Sequence, residues 1–156
     1  MSSRFESIRL GMVGGGQGAF IGAVHRIAAR MDNDFVLVAG ALSSDPARAK
    51  ASAAELGLDP QRSYSSYAEM AKAEAKRPDG IEAVAIVTPN NVHVLAAKAF
   101  LEAGIFCDKP LVTSLAEAKK LAALVEKTGK VLLKRRPSAP GPLTALPRLD
   151  YRSPFN

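Results

Sequence analysis

The sequence predicts a doubly wound α/β fold with a mainly parallel sheet. Apolar runs suited to buried strands alternate with capped or amphipathic helical segments from residue 8 to about residue 133. The run at 83–87 is apolar throughout, as strands covered on both faces of a parallel sheet are. The first apolar run, at 8–13, ends in a glycine-rich turn that leads into a helix. This alternation predicts one sheet with helices on both faces and right-handed crossovers.

The turn after the first strand has the spacing G-x-G-x-x-A, formed by Gly14, Gly16 and Ala19. Glycine permits positive φ angles and lets a pyrophosphate approach backbone N–H groups at a helix N-terminus. We therefore predict that this turn binds the phosphates of a dinucleotide. The predicted contact residues are Gly14, Gly16, Gln17, Gly18, Ala19 and Phe20. The alternating glycines also suit S-adenosylmethionine, so a methyltransferase is an alternative.

The helical segments are marked by caps and by apolar spacing. Asp45 followed by Pro46 predicts a capped helix to about Leu56. Capping boxes at Ser66/Glu69 and Ser114/Glu117 predict two more helix starts. In the first helix, one face is formed by apolar residues spaced four, three and four apart, namely Phe20, Val24, Ile27 and Met31.

The second predicted strand, 35–41, is the one whose end meets the adenosine ribose in a dinucleotide-binding fold. An acidic residue there would favour the free 2′-hydroxyl of NAD, but the strand leads into Leu42, Ser43 and Ser44. Ser43 is able to bond a hydroxyl or a phosphate, and Arg48 follows one helical turn later. The sequence therefore leaves NAD and NADP both open, with Ser43 and Arg48 as predicted contacts.

Composition excludes several classes of function. The single cysteine, Cys107, and two histidines cannot supply a typical structural zinc site. The net charge is +6, and five basic residues against Asp150 place +4 of it in the last 23 residues, so the predicted domain has no nucleic-acid footprint. We find no apolar run of the roughly 18 residues that a membrane span needs and no secretory signal, so we expect a cytoplasmic protein.

Two further motifs follow later strands. Thr88-Pro89-Asn90-x-x-His93 follows the apolar run at 83–87, and Asp108-Lys109-Pro110 follows a short strand predicted at 105–107. Together with the glycine turn, these motifs resemble the N-terminal domain of the Gfo/Idh/MocA oxidoreductases over residues 8 to about 133.

The resemblance implies NAD(P)-dependent oxidation or reduction of a sugar, cyclitol or related hydroxyl. Lys109 matches the family's catalytic lysine near the nicotinamide, which contacts the reacting oxygen. Around the cofactor the resemblance implies Thr88, Pro89, Asn90, His93, Asp108 and Lys109.

The family also has a second domain, which supplies a substrate-binding sheet and an Asp-x-x-x-His pair. Here residues 134–156 contain five prolines and no periodic apolar pattern, which predicts a disordered basic tail. We therefore expect a domain at 1–133, a tail at 134–156, and a truncated or frameshifted product with incomplete catalytic machinery. A polyol or sugar substrate then requires that the missing domain be supplied. A non-enzymatic NAD(P)-binding or partner-binding module is the other alternative, and the oligomeric state stays open.

Overall fold

The structure is a computed structural model that describes residues 7–31, 33–108, 115–129 and 132–133. Strands and helices alternate along the chain. In order they are β1 (Ile8–Gly14), α1 (Phe20–Arg30), β2 (Phe35–Ala41), α2 (Pro46–Glu55), a 3-10 turn (Pro60–Arg62), α3 (Tyr67–Glu74), β3 (Ala83–Val87), α4 (Asn90–Glu102), β4 (Phe106–Asp108), α5 (Leu115–Thr128) and β5 (Leu132–Leu133). None of the helices in these ranges is long and apolar enough to cross a membrane.

The five strands form one parallel sheet with the order β2-β1-β3-β4-β5. β1 lies between β2 and β3, and its last residue, Gly14, is in register with Val87 at the end of β3. The chain therefore leaves β1 toward one edge of the sheet and leaves β3 toward the other. This confirms the predicted doubly wound topology.

Each face of the sheet has its own apolar core. Val84 and Ile86 of β3 belong to the core that includes Phe100 and Leu101 of α4. The alternate residues Ala83 and Ala85 belong to the second core, with Leu10, Met12 and Ala53 of α2. Because neighbouring side chains of a strand point to opposite faces, α3, α4 and α5 cover one face while α1 and α2 cover the other.

The predicted caps were correct wherever the structure describes them. The Asp45 carboxylate accepts a hydrogen bond from the Arg48 N–H (2.7 Å), and the Ser66 hydroxyl accepts one from the Glu69 N–H (3.2 Å). The Glu69 carboxylate, however, accepts from the N–H and hydroxyl of Ser65. Glycines with positive φ follow three helices, as predicted, at Gly57, Gly104 and Gly129. Ser114 lies outside the described residues.

The short strands differ from their predicted bounds. β4 begins at Phe106 and includes Asp108, which is in register with Ala85 and Leu133, so Asp108 belongs to the strand and not to a loop after it. β5 is described for Leu132 and Leu133. Lys109, the rest of its motif and the predicted tail at 134–156 lie outside the described residues, so the predictions made for them stay predictions.

A buried carboxylate joins three segments next to α3. Glu74 accepts hydrogen bonds from the Arg62 guanidinium (3.1 Å to Nε), the Tyr64 hydroxyl (2.7 Å) and the Ile81 N–H (3.0 Å). Burial, together with the bond to this carboxylate, raises the pKa of Tyr64 to about 12. Because each buried polar group has a partner, the network is satisfied, and it fixes the 3-10 turn to the segment that enters β3.

Candidate functional site

The candidate site lies where the chain leaves β1 and β3 in opposite directions. In open parallel α/β sheets this switch point forms a crevice at the carboxyl ends of the strands, and ligands bind there. The glycine turn follows β1 and the segment from Thr88 to Asn90 follows β3. Since Gly14 and Val87 are in register, the two predicted motifs lie side by side.

The glycine turn uses positive φ angles at Gly14 (74°), Gly15 (72°) and Gly18 (78°). At Gly18 the space in which a Cβ would lie is open, with nothing within 4 Å. The backbone conformation at position 18 therefore favours glycine. The open space lies beside the start of α1. A phosphate could therefore approach the backbone at this position without displacing a side chain.

The opposite side of the turn is anchored to Leu42, the residue after β2, and to α2. The Gly16 N–H donates to the Leu42 carbonyl (3.2 Å), and the Gln17 N–H donates to the Ser52 hydroxyl (3.0 Å). The Ser52 hydroxyl in turn donates to the Arg48 carbonyl (2.7 Å), and the Gln17 side-chain amide donates to Glu55 (2.9 Å). Gly16 and Gln17 therefore hold the turn in place through contacts inside the protein, while their predicted cofactor contacts stay predictions.

Ser52 is a residue that sequence reasoning missed. It is buried in α2, and its hydroxyl lies where a Cβ on Gly16 would have to go. The contact joins residues 35 positions apart, and nothing in the local pattern of α2 distinguishes this serine from any other. A substitution at Gly16 would therefore disturb the packing of the turn against α2 as well as any ligand contact.

α1 begins directly after the turn with Ala19 as its N-cap residue. No side chain caps the helix, its first turn has no acidic residue, and the Ala19 N–H donates to the Gly16 carbonyl (3.0 Å). The first N–H groups of an uncapped helix and the positive end of its dipole suit an anion. Phe20, also predicted as a contact, is 82% exposed at the same end of the helix.

α1 approaches the sheet closely because Gly22 faces inward. A Cβ on Gly22 would collide with the backbone of Gly15. One turn later, the Arg26 guanidinium donates to the Gly15 carbonyl (2.6 Å). Gly22 and Arg26 were not predicted to matter, although both fix the helix against the turn.

The end of β3 contributes a buried hydroxyl. Thr88 Oγ1 is the buried side-chain polar atom of the described residues that has no hydrogen-bond partner, and the methyl group of Thr88 lies against Gly14. A buried hydroxyl without a partner costs roughly 1–3 kcal/mol, which a bound ligand would recover. A dinucleotide along the glycine turn would supply such polar groups, so these residues fit the cofactor that the motifs predict.

His93 holds the same strand end from α4. Its ring is buried, and its Nε2 lies 2.7 Å from the Thr88 carbonyl. Because a carbonyl only accepts, Nε2 carries the proton. Burial lowers the pKa of His93, against a smaller raising effect of the Thr88 bond, so the ring is neutral at pH 7. His93 therefore positions Thr88, while Pro89, the N-cap residue, and Asn90, the first residue of α4, are both exposed.

At the end of β2, the Ser43 hydroxyl accepts a hydrogen bond from the Asp45 N–H (3.1 Å). Arg48 is exposed in the first turn of α2, and the Asp45 carboxylate caps this helix. The hydroxyl of Ser43 keeps its own proton to donate. Ser43 and Arg48 stay predicted contacts for the ribose end of a dinucleotide.

A cleft of about 360 Å³ borders the glycine turn on the side of α2. Its lining includes residues 16–20 of the turn together with Ala23, Arg26, Ser52, Glu55 and Leu56. Residues 88–93 do not line this cleft, whereas Gly18 and the start of α1 do.

Comparison with known proteins identifies the family. Residues 8–135 match the family model of GFO_IDH_MocA, described as "Oxidoreductase family, NAD-binding Rossmann fold". The chain belongs to the Gfo/Idh/MocA oxidoreductase family. It is an NAD-binding domain of an oxidoreductase, and this membership favours NAD over S-adenosylmethionine as the ligand of the glycine turn.

Individual relatives of this Gfo/Idh/MocA chain are also described as oxidoreductases or as a dehydrogenase homologue. Oxidoreductase YfiI of Bacillus subtilis is 47% identical over 130 residues, which cover 81% of this chain and 33% of YfiI. A solved oxidoreductase from Sinorhizobium meliloti is 60% identical with a TM-score of 0.77, over 83% of this chain and 37% of that one. An inositol dehydrogenase homologue from Azotobacter vinelandii, solved with NADH and myo-inositol, is 45% identical with a TM-score of 0.78, over 81% and 34%. The chain thus spans about a third of the length of these relatives.

Proposed function

We propose that this chain is the NAD(H)-binding part of an oxidoreductase that acts on cyclitol or sugar hydroxyl groups. One observation carries the proposal: the open, positive-φ position at Gly18 and the unpartnered Thr88 hydroxyl flank the same switch point. The dinucleotide would lie across this crevice. Its pyrophosphate would bind the first N–H groups of α1, beside Gly18.

Thr88 and His93 act together in this proposal. The Thr88 hydroxyl bonds the dinucleotide, and the neutral His93 ring keeps the Thr88 carbonyl fixed through its Nε2–H. Because the His93 ring is buried and its Nε2 faces the Thr88 carbonyl, we assign it no role as a base for substrate. We assign it a positioning role at the end of β3.

The proposed substrate class is supported by one relative and by the predicted lysine. The Azotobacter vinelandii homologue was solved with NADH and myo-inositol, which supports a cyclitol or related hydroxyl and favours NAD over NADP. A bound nicotinamide supplies a hydride acceptor. Lys109, if it lies beside the reacting oxygen, would stabilise the developing alkoxide charge and help remove the hydroxyl proton.

We further propose that the 156-residue chain binds NADH but shows no turnover alone. Holding a substrate carbon against the nicotinamide can be worth roughly 7–11 kcal/mol, and a positioned base about 10²- to 10⁴-fold. Neither requirement is met by the described side chains of the switch point. NADH formation at 340 nm would be measured with inositol and glucose, and turnover that disappears on Lys109→Ala would contradict the proposal.

The binding step is tested with two matched glycines. Gly18 and Gly57 both have positive φ (78° and 67°) and open space at the Cβ position, but Gly57 ends α2 away from the crevice. Replacing either glycine by alanine should lower the free energy of unfolding by about 1 kcal/mol through backbone strain. We expect NADH affinity, measured by calorimetry, to fall at least tenfold in Gly18→Ala and to stay unchanged in Gly57→Ala. Equal affinities in the two variants would mean that the turn does not hold the pyrophosphate.

A second test uses the Thr88 hydroxyl. Thr88→Val removes a buried hydroxyl that has no partner, so stability should stay constant or rise while NADH affinity falls about tenfold. Thr88→Ser, which keeps the hydroxyl, should retain most of the affinity. NADPH and S-adenosylmethionine are titrated in parallel. Tighter binding of NADPH would overturn the choice of NAD, and tighter binding of S-adenosylmethionine would overturn the proposed function.

A further inference from the structure

Arg26 places a positive charge against the glycine turn from the side of α1. Its guanidinium donates to the Gly15 carbonyl (2.6 Å) and lies 3.5 Å from the sulfur of Met12. The residue is half-buried, and within the part of the chain that the structure describes it forms no ion pair. Removing a charge from water without a counter-ion is costly, so the site of Arg26 favours a negative group nearby.

The position of Arg26 on α1 explains how its side chain reaches the turn. Arg26 lies in the second turn of the helix, and helical side chains tilt toward the helix N-terminus. The Gly15 carbonyl oxygen faces α1, since a Cβ on Gly22 would collide with it. Arg26 also borders the cleft that is lined by residues 16–20. Its charge therefore lies beside the segment that we expect to bind phosphates.

Two N–H groups of the turn are already used inside the protein. The Gly16 N–H donates to the Leu42 carbonyl (3.2 Å), and the Gln17 N–H donates to the Ser52 hydroxyl (3.0 Å). Neither group is directed at a ligand. The start of α1, with its helix dipole, and the Arg26 guanidinium remain as sources of positive potential beside the turn.

The bond from Arg26 also determines the direction of one peptide group. The carbonyl of the Gly15–Gly16 peptide accepts from Arg26 while its N–H donates to Leu42, so the group is held at both ends. A carbonyl oxygen carries partial negative charge and would repel a phosphate. A charge-assisted hydrogen bond from Arg26 holds this oxygen toward α1 and offsets its charge.

We propose that Arg26 is a positioning residue for the pyrophosphate of the dinucleotide. Its hydrogen bond fixes the Gly15 carbonyl toward α1, and its charge attracts the phosphates through the turn. This inference rests on the proposed function, because it takes the ligand of the turn to be a dinucleotide. Glu55, the acidic residue of the same cleft, is exposed and accepts from the Gln17 side-chain amide (2.9 Å), so solvent screens its charge more strongly than that of Arg26.

A matched pair of charge removals on α1 tests the proposal. Arg26→Gln and Arg30→Gln each remove one positive charge, but Arg30 is exposed in the last turn of α1 and does not border the cleft. It lies roughly 6 Å farther along the helix axis. We expect NADH affinity, measured by calorimetry on the 156-residue chain, to fall about tenfold in Arg26→Gln and by less than about twofold in Arg30→Gln. Wild-type affinity in a folded Arg26→Gln overturns the proposal.

Salt dependence separates the charge of Arg26 from a merely structural role. Between 0.01 M and 1 M salt the screening length falls from about 30 Å to about 3 Å. The ratio of NADH affinities of the wild type and Arg26→Gln should therefore become smaller as salt is added. A ratio that does not change with salt would mean that Arg26 acts only through packing, and it overturns the proposal.

Arg26→Lys is the conservative variant. A lysine keeps the charge and can still donate to the Gly15 carbonyl, so NADH affinity should stay within about threefold of the wild type. Loss of affinity in a folded Arg26→Lys overturns the proposal, and this measurement decides the matter if urea unfolding shows that Arg26→Gln does not fold. Absence of NADH binding by the wild-type chain would instead contradict the proposed function, so the two failures are distinguishable.

Discussion

The helices that follow β1 and β3 bury opposite parts of their sequences. α4 turns its large apolar residues, Phe100 and Leu101, into the core between the sheet and α5. α1 turns Gly22 and small residues inward and leaves Ile27 and Met31 in solvent. Both helices start at the carboxyl edge of the sheet, but α4 stabilises the domain with its apolar face and α1 leaves its large apolar residues in solvent.

The difference shows that amphipathic spacing predicts which residues share one face of a helix. It does not predict whether that face is turned toward the core or toward solvent. In α4 the distance from the sheet is set by large side chains. In α1 it is set by backbone contact between Gly22 and Gly15, which leaves no room for large residues on the inside. The demands of the glycine turn therefore determine the orientation of the helix that follows it.

The largest contrast should come from truncating one large residue on each helix. Phe100→Ala removes a fully buried ring and should cost about 3–5 kcal/mol of unfolding free energy. Ile27→Ala should change it by less than about 0.5 kcal/mol, because the side chain is exposed. Urea unfolding of both variants measures the two values. A cost above about 1.5 kcal/mol for Ile27→Ala would mean that Ile27 is buried within the chain.

A smaller effect is expected on the inner face of α1. Gly22→Ala improves helix propensity, but its Cβ collides with Gly15, so we expect a net loss of about 1–3 kcal/mol and weaker NADH binding. Ala28→Gly, at an exposed position of the same helix, is the control. It should cost about 1 kcal/mol by propensity alone and leave NADH binding unchanged. A stabilised Gly22→Ala that binds NADH normally would contradict the close packing.

The smallest effect is a pH dependence at the start of α4. Burial lowers the pKa of His93 below its ordinary value of 6.5. As the pH falls through 6.5, the His93 ring therefore binds a proton in the unfolded chain before it does so in the folded chain. The stability due to neutral His93 is complete above pH 6.5 and is lost as the pH falls through 6.5 toward the folded pKa. Urea midpoints at pH 7.5 and 5.5 should therefore drop further for the wild type than for His93→Gln. Equal drops would show that His93 is accessible to protons.

Local patterns predicted most of the fold. The caps at Asp45 and Ser66 and the glycines after the helices depend on contacts within a few residues, which a sequence displays directly. The strands were located by their apolar runs. Their alternation with helical segments predicted a doubly wound sheet, whereas the order of the strands comes from the structure.

The candidate site was only partly predictable because its supports are long-range. The glycine turn and Thr88 were found from their motifs, but the bond from Gln17 to Ser52 joins positions 35 residues apart. His93 was predicted near the cofactor from its motif, and the structure turns its ring toward the Thr88 carbonyl. Such orientations depend on how α1, α2 and α4 pack, which no local spacing specifies.

The Glu74 network bears on the order in which the domain assembles. Its partners, Arg62, Tyr64 and Ile81, are at most 12 positions away from Glu74 in sequence. The pairing of β1 with β3, in contrast, joins Leu10 to Ala83. Because closing short loops costs less chain entropy, residues 62–81 are expected to form a native-like unit before the central strands pair. The nucleotide crevice, which needs β1 and β3 in register, would then be among the last parts of the molecule to appear.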